Sequence, residues 1–143
     1  MQSYEKYLKK LKICPFCYLR KEEILKQNKF AILTLAKAPY IKNHLLVVPK
    51  KHVLTFGSLK KREKLAMLKM TAYGMKKLKK KEKNINVLYR EGDKKIVRKS
   101  INHMHVHIIP NMPIGMQNKK WNKKQIYSDK EYVKKIREFK EDL

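Results

Sequence analysis

The stretch "INHMHVHIIP" at residues 101–110 holds three of the chain's five histidines, at alternate positions in an apolar run. Alternate residues of a β-strand point to the same side of the sheet. The pattern therefore predicts a strand that directs His103, His105 and His107 away from the core and the intervening apolar residues into it. One buried histidine is often structural, but three in alternation each need polar partners. We interpret the row as a functional site.

A single metal ion held by all three histidines is unfavourable on geometric grounds. With a rise of roughly 3.3 Å per residue, His103 and His107 lie about 13 Å apart along an extended strand. A zinc–nitrogen bond is only about 2.0–2.1 Å long, so both ends of the row do not easily reach one ion. We therefore expect one end to serve a metal and the rest to line a chemical site.

The second motif is "CPFC" at residues 14–17. A C-x-x-C pair supplies two thiolates to a tetrahedral metal site, although a redox pair uses the same spacing. The βαβ pattern of a thioredoxin-like protein is missing around it, which favours metal binding. Two histidines would complete a Cys₂His₂ site, and the candidates are His44, His52 and one end of the histidine row. The N-terminal residues do not resemble a signal peptide, so we expect a reducing cytoplasmic location.

The formal net charge of +25 is open to two interpretations. It is compatible with a polyanionic partner such as nucleic acid, bound without sequence preference. However, only five of the 37 basic residues are arginine, the residue that specific nucleic-acid readers favour, and the lysines are scattered over nearly every segment. Coding bias would give the same pattern. In either case the charge attracts anionic substrates. No apolar run approaches the roughly 18 residues of a membrane span, so no membrane partner is expected.

Hydrophobic periodicity predicts an α+β domain with an antiparallel sheet. Ser58 is the expected N-cap of a long helix that runs to about Lys83, and "SDKE" at 128–131 is a capping box for a C-terminal helix. The 143 residues favour a single domain. The remaining predicted elements are a short helix at 3–12, strands at 29–36, 44–49, 85–91 and 101–110, a loop or hairpin at 92–100, and a loop at 115–124. The predicted buried face of the long helix consists of Leu65, Leu68, Ala72 and Met75.

Together, "CPFC", "NHLLVVPKKHV" (43–53) and "HMHVHIIP" (103–110) resemble the zinc-containing branch of the histidine triad (HIT) superfamily of nucleotidyl hydrolases and transferases. The resemblance covers about residues 10–112 of a single HIT domain at 1–143, with a C-terminal loop and helix at 113–143. It implies an antiparallel sheet of about five strands, one long helix and a C-terminal helix, and a homodimer.

The resemblance also implies roles for the metal and catalytic residues. His105 corresponds to the nucleophile, which attacks the α-phosphorus of a nucleotide and forms a nucleotidyl-imidazole intermediate. His107 corresponds to the histidine that hydrogen-bonds phosphate or leaving-group oxygens. His44 has a structural or supporting position. A structural Zn²⁺ is implied at Cys14, Cys17, His52 and His103.

The family's substrate pocket maps onto six further positions. Phe16 and Ile32 would sandwich an adenine or guanine base, and Thr34 replaces the usual Asp or Asn that binds the ribose. The residues expected near the phosphates are Arg90, Lys99 and Ser100. Two departures from the family pattern alter this region, because Arg98 and Lys99 replace the usual Gly and Gln, and Asn111 replaces an arginine.

The implied activity is cleavage of nucleoside phosphoric anhydrides or phosphoramidates, with release of a nucleoside monophosphate. Alternatives within enzymes are phosphorolysis of dinucleoside polyphosphates and removal of adenylate from nucleic-acid ends. A basic nucleic-acid-binding protein on a HIT fold without catalysis is the alternative from another class, although the intact histidine row argues against it.

Overall fold

A computed structural model describes residues 2–113, 115 and 124–141. Its helices are α1 (Tyr4–Lys10), α2 (Lys61–Leu78), α3 (Lys94–Val97) and α4 (Asp129–Glu141), with 3₁₀ turns at Lys21–Glu23 and Phe56–Ser58. Its strands are β1 (Gln2–Ser3), β2 (Ile24–Gln27), β3 (Ala31–Leu35), β4 (Leu45–Pro49), β5 (Ile85–Tyr89), β6 (Val106–Pro110) and β7 (Gln125–Ile126). Within the described ranges, no helix has the length and apolar character needed to cross a bilayer.

Five strands form one antiparallel sheet in the order β2-β3-β4-β6-β5. The histidine strand β6 is therefore internal, with Leu46 of β4 and Leu88 of β5 on either side of His107. Strands β1 and β7 form a separate two-stranded ribbon. The predicted α+β class, with a five-stranded antiparallel sheet, a long helix and a C-terminal helix, is confirmed.

The histidine row lies across the start of β6. The strand begins at Val106, so His103 and His105 belong to the segment that leads into it. The predicted alternation is confirmed, because Met104, Val106 and Ile108 lie in the main core cluster. Helix α2 covers this core side of the sheet by packing on β3, β4 and β6. The histidine rings project to the opposite side.

The predicted buried face of α2 is wrong for three of its four residues, whereas the fourth, Met75, is partly buried and packs against the core cluster. Leu65 and Leu68 are 50% and 66% exposed, and Ala72 is also exposed. A Cβ at Gly74 would lie 2.8 Å from Ile108 Cδ1 and 3.0 Å from Leu33 Cδ1, so the helix lies too close to the sheet at this position for a side chain to fit without movement of its neighbours. The buried face is centred on this glycine and includes Ala66, Met67, Met70 and Leu78.

The predicted start of α2 is also wrong. Ser58 closes a 3₁₀ turn, and its hydroxyl lies 2.7 Å from that of Thr55. The N-cap is Lys60, whose backbone N–H donates to the Glu63 carboxylate at 2.8 Å. The serine half of the predicted capping box of α4 is confirmed, because the N–H of Glu131 donates to Ser128 Oγ at 3.2 Å. The Glu131 carboxylate accepts a hydrogen bond from the Ser128 hydroxyl at 3.1 Å. Most of the predicted loop at 115–124 lies outside the described residues.

Candidate functional site

Four ligand atoms converge where the CPFC turn meets the segment before β6. The Sγ atoms of Cys14 and Cys17 and the ring nitrogens of His52 and His103 all lie within 4.8 Å of one another. The two Nδ1 atoms are 3.1 Å apart, and the sulfur–nitrogen contacts are 3.2, 3.4 and 3.5 Å. A tetrahedral zinc site would place two nitrogens about 3.3 Å apart and sulfur about 3.6 Å from nitrogen. The cluster is therefore compatible with zinc.

His103 is oriented for this cluster by the sheet. The ring is buried, and its Nε2–H donates to the carbonyl of Pro49 at 2.8 Å. The lone pair of the neutral ring is consequently on Nδ1, the atom that faces the cysteines. A carbonyl that fixes the far nitrogen of a metal-binding histidine is a recurrent supporting contact.

On the same side of the sheet, beside the metal-ligand cluster, is a cleft. Most of the residues predicted to bind substrate line it, namely Phe16, Thr34, Arg90, Lys99, Ser100, His105 and His107. Ile32 is buried in β3 but is not part of the cleft wall. The two histidine rings have centroids 4.8 Å apart, and the edge of Phe16 contacts His105 with centroids 5.0 Å apart.

His105 has a defined tautomer. Its Nδ1–H donates to the carbonyl of His103 at 2.8 Å, so the lone pair of the neutral ring is on Nε2. Burial is the largest of the effects that lower the pKa of His105 to about 4, and the charges of Lys124 and Arg90 contribute. Because the ring is then neutral at pH 7, Nε2 is available as a nucleophile.

His107 is held by His44. The backbone N–H of Tyr40 donates to Nδ1 of His44 at 3.2 Å, so a neutral His44 carries its proton on Nε2. That proton is donated to Nδ1 of His107, 2.9 Å away, which leaves His107 with an Nε2–H. Burial lowers the pKa of both histidines well below the usual value. The pair therefore presents a hydrogen-bond donor beside His105.

Thr34 lines the cleft, but its hydroxyl joins β3 to α4. The hydroxyl donates to the carbonyl of Glu23 at 2.7 Å and lies 2.8 Å from the hydroxyl of Tyr132. Tyr132 in turn donates to the carbonyl of Leu35 at 2.7 Å. This network gives the inner end of the cleft a fixed shape.

Tyr40 and Lys124 are among the cleft residues that sequence reasoning missed. The ring of Tyr40 stacks on His44 with centroids 5.3 Å apart, and its hydroxyl accepts a hydrogen bond from Arg90 Nη1 at 3.0 Å. The Nζ of Lys124 lies 4.3 Å from the centroid of the same ring. Neither residue belongs to a local motif, and Lys124 is one cation among 37, so no sequence signal distinguishes them.

A model of the HIT domain family matches residues 20–114, more than half of the chain. The chain therefore belongs to the HIT family, whose members are in general nucleotide hydrolases and transferases. An uncharacterized HIT-like protein of Mycoplasma genitalium is 30% identical over 106 residues, which cover 71% of this chain and 75% of that protein.

Solved structures with the same fold are more distant in sequence. The NitFhit protein of C. elegans has a TM-score of 0.72 and 17% identity over 93% of this chain, which spans only 30% of that longer protein. The diadenosine triphosphate hydrolase of Plasmodium falciparum, in complex with cyclomarin A, has a TM-score of 0.66 and 17% identity. The match covers 86% of this chain and 77% of the hydrolase. A zinc-bound histidine triad protein of Mycobacterium smegmatis has a TM-score of 0.60 and 17% identity. The match covers 90% of this chain and 93% of that protein.

Proposed function

We propose that the chain cleaves nucleotides at the α-phosphate through a nucleotidyl-His105 intermediate and releases a nucleoside monophosphate. The observation that carries this proposal is the hydrogen bond from Nδ1 of His105 to the carbonyl of His103, which leaves the Nε2 lone pair on the substrate side. Family membership supports the reaction class.

The reaction takes place in two displacements. Nε2 of His105 forms a bond to the α-phosphorus, and the bond from phosphorus to the leaving group breaks with its electron pair. A polyphosphate leaves as the anion, whereas the nitrogen of a phosphoramidate takes up a proton from solvent and leaves as the neutral amine. The Nε2–H of His107 hydrogen-bonds the oxygens of the phosphate or the leaving group and offsets the charge that develops there. Water then forms a bond to the phosphorus and loses a proton to solvent, and the bond from phosphorus to Nε2 breaks with its electron pair. This step releases the monophosphate and restores the neutral imidazole of His105.

The substrate is a purine nucleotide in this proposal. Phe16 offers an aromatic wall for the base, and Thr34 lies in the same cleft, whereas Ile32, the other position that the family resemblance assigns to the base, lies outside the cleft wall. Arg90, Lys99 and Ser100 also line the cleft, and this proposal assigns them to the phosphates. Dinucleoside polyphosphates and nucleoside phosphoramidates are the two substrate classes, and a fold neighbour is a diadenosine triphosphate hydrolase.

The metal in this proposal is a structural Zn²⁺ held by Cys14, Cys17, His52 and His103. When bound, it supplies folding free energy by joining the CPFC turn to the sheet. The supporting observations are the convergence of the four ligand atoms and a zinc-bound fold neighbour. No catalytic step involves the ion.

A homodimer is the proposed assembly. Leu65 and Leu68 form an exposed apolar surface on α2, and Val87 is 46% exposed on the edge strand β5. A second copy would cover these side chains. Sedimentation equilibrium should give twice the monomer mass, and Leu68→Glu should shift the equilibrium towards monomer.

The decisive experiment uses diadenosine triphosphate and adenosine 5′-phosphoramidate, with products separated by chromatography. AMP should be released from both substrates. If inorganic phosphate can replace water as the acceptor, adding it should give ADP in place of AMP. An alkaline quench with labelled substrate should trap label on wild-type protein and none on His105→Asn, because a phosphorus–nitrogen bond is required. Calorimetric titration of the variant with AMP verifies that the cleft is intact. Near-normal turnover by His105→Asn, or label on another residue, would refute the mechanism.

The high charge favours a second candidate, a non-catalytic nucleic-acid-binding protein. Such a protein would bind duplex or single-stranded nucleic acid with a steep salt dependence and retain binding at moderate salt. If the charge only assists capture of small anions, nucleic acid should be largely released at moderate salt, and kcat/KM for the nucleotide should fall as salt is added.

A further inference from the structure

We propose that Lys124 and Arg90 bind the phosphates beyond the α-phosphate, so that the enzyme selects nucleoside polyphosphates over phosphoramidates. This inference rests on the proposed function and names the substrate class of the same site. A polyphosphate leaving group carries several negative charges, whereas the amine released from a phosphoramidate carries none. Cations on the leaving-group side therefore discriminate between the two.

The position of Lys124 is set by the β1–β7 ribbon. Lys124 directly precedes β7, and its carbonyl accepts a hydrogen bond from the backbone N–H of Tyr4 at 3.1 Å. Its Nζ lies 4.9 Å from the ring centroid of Tyr4 and 4.3 Å from that of Tyr40. The two rings hold the ammonium group in the cleft by cation–π contacts.

Arg90 presents an unused donor at the same place. Its Nη1 donates to the hydroxyl of Tyr40 and, at 2.5 Å, to the carbonyl of Arg98. Its Nη2 is buried and has no hydrogen-bond partner among the described residues. A buried donor of a charged group is costly to leave unpaired, so this atom points to a ligand with acceptor oxygens.

No aspartate or glutamate lines the cleft in the described part of the chain, which leaves the two cations without a counter-ion there. Burial, with a contribution from Arg90, lowers the pKa of Lys124 to about 7. A polyanion placed between the two cations would remove their mutual repulsion and favour the charged form of Lys124. The electrostatics of the cleft therefore match a polyphosphate.

The cations also lie at the correct end of the histidine row. Phe16, at the base end, contacts His105 and His103. Tyr40, which contacts both Arg90 and Lys124, stacks on His44. His44 in turn forms a hydrogen bond with His107. A nucleotide whose base lies at Phe16 and whose α-phosphate lies at His105 would extend its remaining phosphates towards Tyr40, Arg90 and Lys124.

The test compares Lys124→Met with Lys130→Met, a matched variant at an exposed position on α4. For Lys124→Met, kcat/KM for diadenosine triphosphate should fall by about 10- to 100-fold, the loss expected for a charge-assisted hydrogen bond. The fall for adenosine phosphoramidate should be at least tenfold smaller, and Lys124→Arg should recover part of the loss. Lys130→Met should match the wild type with both substrates.

Equal losses of kcat/KM with both substrates would assign Lys124 a merely structural role and overturn the inference. A Lys124→Met protein with wild-type kcat/KM for both substrates would also overturn it. Calorimetric titration with ATP and AMP supplies a readout independent of turnover. Wild type should bind ATP more tightly than AMP, and Lys124→Met should lose most of that difference. If wild type turns over neither substrate, the proposed function fails. This titration still tests whether Lys124 and Arg90 bind the phosphates beyond the α-phosphate. Equal affinity of wild type for ATP and AMP would refute it.

Discussion

Replacing His44 with leucine tests whether the tautomer of His107 is set by its buried partner. The substitution removes the Nε2–H that donates to His107 at 2.9 Å and the acceptor for the N–H of Tyr40 at 3.2 Å. His44 and His107 are only 1% and 6% exposed, so bulk water does not readily replace either bond. Each group left unpaired costs about 1–3 kcal/mol, and the apolar gain from burying leucine offsets part of that.

We therefore expect the free energy of unfolding to fall by about 1–3 kcal/mol in His44→Leu. Because a bond of similar strength fixes the donor tautomer of His107, kcat should fall by about 10- to 100-fold. Urea unfolding and single-turnover formation of the nucleotidyl-enzyme measure the two effects separately. His44→Gln keeps an amide donor and should recover part of both losses. A His44→Leu protein with kcat within twofold of wild type would show that the histidine pair does not orient the donor.

Three further predictions concern the metal, the inner network and pH. Cys17→Ser should reduce the zinc content measured by mass spectrometry and lower Tm, whereas Tyr18→Ser, at an exposed neighbouring position, should change neither; unaltered zinc content in Cys17→Ser would exclude the proposed ligand set. Tyr132→Phe removes the donor to the Leu35 carbonyl and should cost about 1–3 kcal/mol in urea unfolding; a stability equal to wild type would contradict this. Burial holds the pKa of His107 well below its usual value, so the unfolded chain binds a proton below about pH 6.5 that the folded chain does not. Stability should therefore decline as pH falls from 6.5, and the decline should be shallower by about 1.4 kcal/mol per pH unit in His107→Gln.

The sequence predicted the parts of the site that depend on local pattern. Alternation over 101–110 placed the histidine rings opposite the core, and the CPFC spacing indicated the thiol pair of the metal-ligand cluster. The buried face of α2 was mispredicted because hydrophobicity alone favoured Leu65 and Leu68, whereas the side that meets the sheet carries Ala66, Met67, Met70 and Gly74.

The electrostatics of the cleft could not be predicted in this way. Lys124 lies beside Tyr4 because β1 and β7, which are more than 100 residues apart in the sequence, pair with each other. The tautomers of His105 and His44 depend on backbone groups of His103 and Tyr40, which only the folded geometry supplies. A strand pattern predicts the direction of a side chain but not the partner it meets.

Phe16 connects metal binding with nucleotide binding, two equilibria that are usually measured separately. It lies between Cys14 and Cys17, and its ring contacts both His103 of the metal-ligand cluster and His105 of the cleft. If metal binding fixes the conformation of this turn, a nucleotide that packs on Phe16 favours the same conformation. Thermodynamic linkage then requires the metal and the nucleotide to raise the affinity for each other by the same factor. A saturating nucleotide should then slow the transfer of zinc to a chelator, and thiol oxidation at the turn should weaken nucleotide binding. Metal supply and thiol redox state would thereby set the working affinity of the cleft.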